Sequence, residues 1–319
     1  MSVRSGEIVF VKCVKDGIPN RDPLNDSDAR RIFGEDDGRV SLSDVSIKRD
    51  VRDYVSAKYR DGGPDRRRFV YCREERREDG KLLGRESLAK TVVERAGLSV
   101  EQVREDLPKA AFDVRVFGAV YSVEGESFHL TGPVQFGWAH SLHPVETKYV
   151  QGTVVMPSQD VRSDSEGRDT GKEQGTIWST YILPLAVFAM PGVINATLAK
   201  EAGMDENDLE LLLEALWRGT QHRQARGRGL QQPLLLIHVE YQDDFFRLGY
   251  LEEGLELTPG REAWLGGAPP TYLDEVSVNV TRLASVLGGA SDRIARVRYW
   301  HNPVLKLVGE LPGTPQPLW

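Results

Sequence analysis

The chain has 319 residues, with 48 acidic against 41 basic side chains and a formal net charge of -7. An acidic chain is not a generic polyanion binder. Its two cysteines, Cys13 and Cys72, give neither a disulfide framework nor a zinc quartet. The 40% apolar content suffices for a core, and the longest apolar run, residues 182–190, is too short to cross a bilayer. No apolar signal segment opens the sequence, so the expectation is a cytoplasmic protein with reduced thiols.

Residues 7–12, EIVFVK, are apolar on both faces and read as a short central strand. They run into turn formers at residues 16–23, a loop of the kind that often carries function. Asp22, Asp26 and Asp28 lack the glycine and distal glutamate of a calcium loop. Ser43-Asp44 starts a helix expected to reach Lys58, with Ile47, Val51, Tyr54 and Val55 facing inward. Lys48, Arg49 and Arg52 gather about one turn apart on another side. They form either a cationic rail for phosphates or, with Asp50 and Asp53 interleaved, a solvated face.

Residues 61–65 are a strong break, and residues 66–73 alternate as a strand. Helices are expected near residues 85–96 and 99–106, with Pro108 separating them from the stretch 113–138. Residues 61–108 read as an insertion beside the main sheet. The stretch 113–138 combines a short buried helical pattern, Gly118, a turn at 124–126 and a strand at 128–131. Gly132-Pro133 interrupts that strand before it resumes at 134–136. Such a stretch suits a sheet that offers an edge or face to a partner.

His140 and His143 lie three apart, but no further ligand stands nearby at a metal-binding spacing, so zinc is discounted. Residues 150–156 read as a strand arm, and 157–175 as a polar flexible loop or functional arm. Gly171-Lys172-Glu173 lacks the spacing and the Ser or Thr of a phosphate-binding P-loop. Residues 182–190 read as a buried strand despite Pro184. Asp205 caps the clearest helix, with Leu209, Leu212, Leu213 and Leu216 on one face and Gly219 closing it. A loop at 221–229 holds Arg223, Arg226 and Arg228 and no acid. Residues 233–241 and 245–251 are expected to pair as a hairpin. A Gly/Pro-rich loop spans 254–270. Strands at 276–280 and 294–300 flank a helix at 282–287, and the tail 312–319 reads as peripheral.

No nucleophile elbow, zinc-protease, paired C-x-x-C or dinucleotide-binding motif occurs, and the aromatic RNP signatures of a sequence-reading RRM are missing. These absences favour a binding protein over an enzyme.

Several blocks stand in a recognisable order: Asn20-Arg21-Asp22-Pro23, SDVSIKRDVRDY (43–54), DVRVFGAV (113–120), LTGPVQFGW (130–138), GKEQGT (171–176), residues 181–195 and LLLEALWRGT (211–220). Together they resemble the backbone subunit of the type I-B CRISPR Cascade complex, the Cas-seven or Csh-two group of the RAMP superfamily. The resemblance implies an α+β fold: a ferredoxin-like, RRM-like antiparallel-sheet palm in one domain, with a helical finger insertion at 61–108 and a thumb at 150–176. It also implies a non-catalytic subunit that lines up head to tail along CRISPR RNA and presents the guide to target DNA. The other partners would be the large, Cas-five and Cas-six type subunits, with no cofactor, no metal and no membrane. On this chain Asn20, Arg21, Lys48, Arg49, Arg52, Gln135, Trp138, Lys172, Arg223, Arg226 and Arg228 would face the guide. Arg21 stands where the family's turn has glycine, which argues against a positive-φ turn there and offers a phosphate contact instead. The competing reading is an endoribonuclease that cuts target RNA through Asp22, as related type III subunits do; a third is an interaction protein that binds no nucleic acid.

Overall fold

The computed structural model describes residues 2–24, 28–34, 36–123, 126–155, 162–163, 169–170, 177–267 and 269–319. Strand β1 (Gly6–Gly17) is followed by the short β2 (Ser41–Leu42) and helix α1 (Asp44–Lys58). Helices α2 (Arg85–Arg95), α3 (Val103–Ala110) and α4 (Phe112–Phe117) come next. A hairpin of β3 (Gly118–Val123) and β4 (Glu126–Thr131) precedes β5 (Val134–Phe136) and β6 (Ala139–Ser141). Strands β7 (Lys148–Thr153), β8 (Arg162–Ser163) and β9 (Asp169–Thr170) lead to the long β10 (Ile177–Ile194). Helices α5 (Ala196–Ala202) and α6 (Glu206–His222) then connect to β11 (Leu230–Tyr241). The C-terminal part holds β12 (Glu256–Thr258), α7 (Arg261–Gly266), β13 (Ser277–Asn279), α8 (Thr281–Gly289), β14 (Ile294–His301), β15 (Lys306–Val308) and β16 (Thr314–Pro315).

The main sheet runs β16-β14-β11-β1-β10-β6-β2, with β5 and β7 also paired to β10. Strand β1 is antiparallel to both β10 and β11. Four strands in the order β11-β1-β10-β6, with α1 and α6 packed together, make the expected ferredoxin-like palm. Both faces of β1 are covered, which is why its sequence is apolar throughout. Ile8, Phe10 and Val14 face a cluster with α1, α4 and α6. Val9, Val11 and Cys13 face a second cluster with Val278, Leu283 and Leu287. Each such side chain contributes roughly 1.5–3 kcal/mol on burial.

Strand β10 tolerates Pro184 because the ladders pause there. The β1 register passes from Lys15↔Leu185 to Gly17↔Leu183, and β7 ends its pairing at Ile182. The Gly132-Pro133 break moves the chain from one sheet to another: β4 pairs with β3, while β5 pairs with β10. A third cluster joins Phe69, Tyr71 and the apolar faces of α2 and α3 to Val114, Tyr121 and Phe128.

Several expectations fail for identifiable reasons. Residues 66–73 form no strand; an isolated bridge joins Phe69 to Ala111. The N–H groups of Tyr71 and Cys72 donate instead to the Asp113 carboxylate, at 2.8 and 3.0 Å. Residues 245–251 do not pair with β11, whose free edge is taken by β14; Leu248 and Gly249 donate to the Glu7 carboxylate. Gly219 does not close its helix, which continues to His222. It is glycine because α1 crosses there: a Cβ would lie 2.5 Å from the Asp50 carbonyl oxygen. Pro108 lies inside α3, near its end, and its carbonyl accepts from Arg115 at 2.8 Å. The loop expected at 254–270 contains β12 and α7. The tail is docked, with Trp319 stacked on Trp300 at 4.9 Å between ring centroids.

Candidate nucleic-acid interface

Alternation along β1 aims Lys12 at the helical face beside Phe10 and Val14, so a cation enters the core beneath α1. It needs a partner there. Lys12 Nζ donates to Asp50 Oδ2 at 3.0 Å and to Gln231 Oε1 at 2.9 Å. Burial lowers the Lys12 pKa, and Asp50 opposes that shift. Asp50 Oδ1 also accepts from Arg223 Nη1 at 2.9 Å and Arg228 Nη2 at 3.0 Å. Arg228 Nη1 further donates to the Pro19 carbonyl at 2.6 Å, which ties the 226–228 turn to the loop after β1. Arg223 reaches Asp53 at 3.2 Å, and Arg49 donates to the same carboxylate at 2.6 Å. Four cations thus converge on two carboxylates, leaving local positive charge on an acidic chain.

Three depressions that share lining residues lie at and beside this network. The first, about 660 Å³, is bordered by Val45, Lys48, Arg52, Phe117 and Gln135. The second, about 450 Å³, is bordered by Asn20, Arg21, Val45, Arg49, Arg223 and Arg228. The third, about 310 Å³, is bordered by Arg21, Val150, Trp178, Thr180, Arg226 and Gly227. Val45, 60% exposed, is shared by the first two; Arg21 and Gly227 are shared by the last two. Lys48 and Gln135 thus border the first depression and Arg226 the third, and the second neighbours both through these shared residues.

The sequence-derived residues play unequal parts here. Lys48 Nζ donates to Gln135 Oε1 at 3.3 Å and to Asp44 at 2.9 Å. Arg52 is held by Asp113 at 2.9 Å. Asn20 Oδ1 accepts from the N–H and hydroxyl of Ser43, anchoring its loop at the start of α1. Arg21 lies outside the set of positive-φ residues. Its Nη2 donates to Thr180 Oγ1 at 2.6 Å and to the Gly227 carbonyl at 3.0 Å, bridging the second and third depressions. Arg223 and Arg228 are only 26% and 16% exposed and are committed to Asp50. Arg226 is exposed, with its guanidinium 3.7 Å from the centroid of the Trp178 ring. Trp138 lies apart, 6.0 Å from the Arg30 guanidinium, and borders none of the three depressions. Lys172 is outside the described residues.

Sequence reasoning missed Lys12, Asp50 and Trp178. A lysine inside an apolar central strand signals a buried acid nearby. An indole in the otherwise polar Ser179-Thr180 neighbourhood of β10 signals a surface platform.

The histidine pair and the acidic loop offer no metal centre. His143 Nε2 accepts from the Val187 N–H at 3.1 Å, its ring stacks on Trp264, and burial lowers its pKa to about 3. His140 pairs with Ser41 Oγ. Asp22 Oδ1 accepts from the Leu24 N–H at 3.0 Å. Among the described residues no three His, Cys, Asp or Glu side chains are grouped to hold a metal, and no helix is long and apolar enough to cross a membrane.

A family model described as "CRISPR-associated protein Cas7" matches residues 4–281. The chain belongs to the Cas7 family. It is 27% identical to "CRISPR-associated protein Cas7" of Haloferax volcanii, over 92% of this chain and 85% of that relative. The fold is shared with a chain of the solved "CRISPR RNA-guided surveillance complex, pre-nicking", at TM-score 0.56 and 16% identity, covering 97% of each chain. The depressions described above therefore lie on the palm of a Cas7-family fold.

Proposed function

We propose that this Cas7-family chain is a non-catalytic backbone subunit that holds CRISPR RNA in the groove running from Gln135 to Trp178. The subunit works in the cytoplasm as part of a type I-B Cascade, beside large, Cas-five and Cas-six type subunits. Copies line up head to tail, a heterologous contact that makes an open filament. Residues 61–108 serve as fingers and 150–176 as the thumb of one domain, and the held guide pairs with target DNA.

The row of neighbouring, cation-lined depressions between Gln135 and Trp178 supports this reading. Arg49 and Arg226 on its rim suit phosphate contact, with Lys48 and Arg21 alongside. Arg223 and Arg228 add positive potential from beneath while their donors stay on Asp50. Such a surface grips sugar and phosphate and reads no base edge, as a subunit serving any guide requires. The test is fluorescence anisotropy of the full chain with several unrelated guide-length RNAs. Similar affinities that weaken steeply with salt are expected. Strong preference for one sequence, or no RNA binding, would overturn the proposal.

A further inference from the structure

We infer that the Trp178 ring is a stacking platform, and that one base of the bound strand inserts between it and the Arg226 guanidinium. The inference rests on the proposed RNA-holding role and names a residue that the charge pattern did not reveal.

Trp178 is a large aromatic residue that joins none of the three hydrophobic clusters. It sits on β10 opposite Gly152 of β7. A Cβ at Gly152 would collide with the indole, so the ring packs closely against bare backbone there. The Arg226 guanidinium packs against the ring, 3.7 Å from its centroid. The third depression, about 310 Å³, opens at this point; that is the small end of the range for a ligand pocket. Asp16, Arg21 and Thr180 also border it, supplying polar edges around an apolar floor. Arg226 belongs to an exposed turn, and among the described residues no acid competes for it. Its long side chain can lift and close on the far face of an inserted base, giving a Trp–base–Arg sandwich. Every base has a π-face, so this contact adds affinity without reading sequence.

The test uses the full chain with Trp178→Ala and Trp178→Phe. Each is titrated with a single-stranded RNA and with the same sugar-phosphate strand carrying abasic sites throughout. Trp178→Ala should weaken binding of the RNA about 10- to 100-fold. It should leave binding of the abasic strand and the salt slope unchanged. Trp178→Phe, which keeps a ring on Gly152, should restore most of the affinity. Equal losses on both strands, or no loss on either, would overturn the stacking role while leaving the phosphate-gripping role in place. Failure of the wild-type chain to bind either strand would overturn both.

Discussion

Lys12 Nζ stands 3.0 Å from Asp50 Oδ2, and the two side chains are 2% and 1% exposed. This pair joins the central strand of the palm to the helix above it and also sets the positions of Arg223 and Arg228. Asp50 serves three cations, whereas Lys12 serves one acid. Removing Asp50 leaves Lys12 and Arg228, both largely buried, without an acid, and leaves Arg223 with Asp53 alone. Asp50→Ala should therefore cost about 3–5 kcal/mol of stability. Lys12→Met leaves Asp50 with both arginines and orphans mainly the Gln231 amide oxygen, so it should cost about 1–3 kcal/mol. Urea unfolding of the two variants checks the order; equal losses would contradict it.

The arginines of the 221–229 segment should separate by role. Arg226→Ala removes an exposed cation and should lower the log–log salt slope for RNA by about 0.7 for each phosphate that the guanidinium neutralises, with an unchanged Tm. Arg228→Ala removes a donor to Asp50 and to the Pro19 carbonyl, so its Tm should fall. A salt titration and a thermal melt on each variant distinguish them. A stable Arg228→Ala protein with a reduced slope would place Arg228 in direct contact with the strand instead.

Asp22 is the position from which RNA cleavage would be expected if the subunit were catalytic. Its carboxylate is engaged in a local turn with Leu24. Incubation of the assembled complex with complementary labelled RNA and a divalent metal should give no cleavage. Cleavage that disappears in Asp22→Ala would reverse the assignment.

How much of this was legible in the sequence depended on distance along the chain. Residues 7–12, the Ser43-Asp44 helix start and the Asp205 cap carry their signals within a few residues, and all three are where expected. Residues 66–73 and 245–251 alternate as well as many strands do, yet neither finds a free sheet edge. Their backbone donors go to Asp113 and Glu7, partners far away in sequence. The same limit applies to the groove. A run of arginines identified the segment at 221–229, but its division into Arg226 at the surface and Arg223 and Arg228 at Asp50 depends on where α1 crosses α6. Trp178 escaped notice because its partners, Gly152 and Arg226, come from two other segments.

Burial keeps His143 and His238 neutral, lowering each pKa to about 3. In the unfolded chain both take up a proton near pH 6.5. Between these values the unfolded state binds more protons, so stability falls as pH falls from about 6.5 towards 3. Burial is the main cause at both sites, and a protonated His143 would also lose the hydrogen bond that it accepts from the Val187 N–H. Each histidine should contribute a slope of about 1.4 kcal/mol per pH unit well inside that window. Denaturant melts at a series of pH values should show the loss, and His143→Gln should reduce the slope by one proton's worth. An unchanged slope in that variant would show that His143 is not the titrating group.

Two glycines in helices should respond oppositely to alanine. At Gly219 the new Cβ would meet the Asp50 carbonyl oxygen at 2.5 Å, and that backbone belongs to α1. Neither helix can yield without disturbing the Asp50 network, so overpacking of about 1–3 kcal/mol should outweigh the helix-propensity gain of about 1 kcal/mol. At Gly288, in α8, nothing lies within 4 Å of the built Cβ, and Gly288→Ala should be neutral or stabilise by up to about 1 kcal/mol. Thermal melts of the two variants give the comparison. A stabilised Gly219→Ala protein would mean that α1 and α6 are free to separate, and the rigid floor beneath the groove would then need another source.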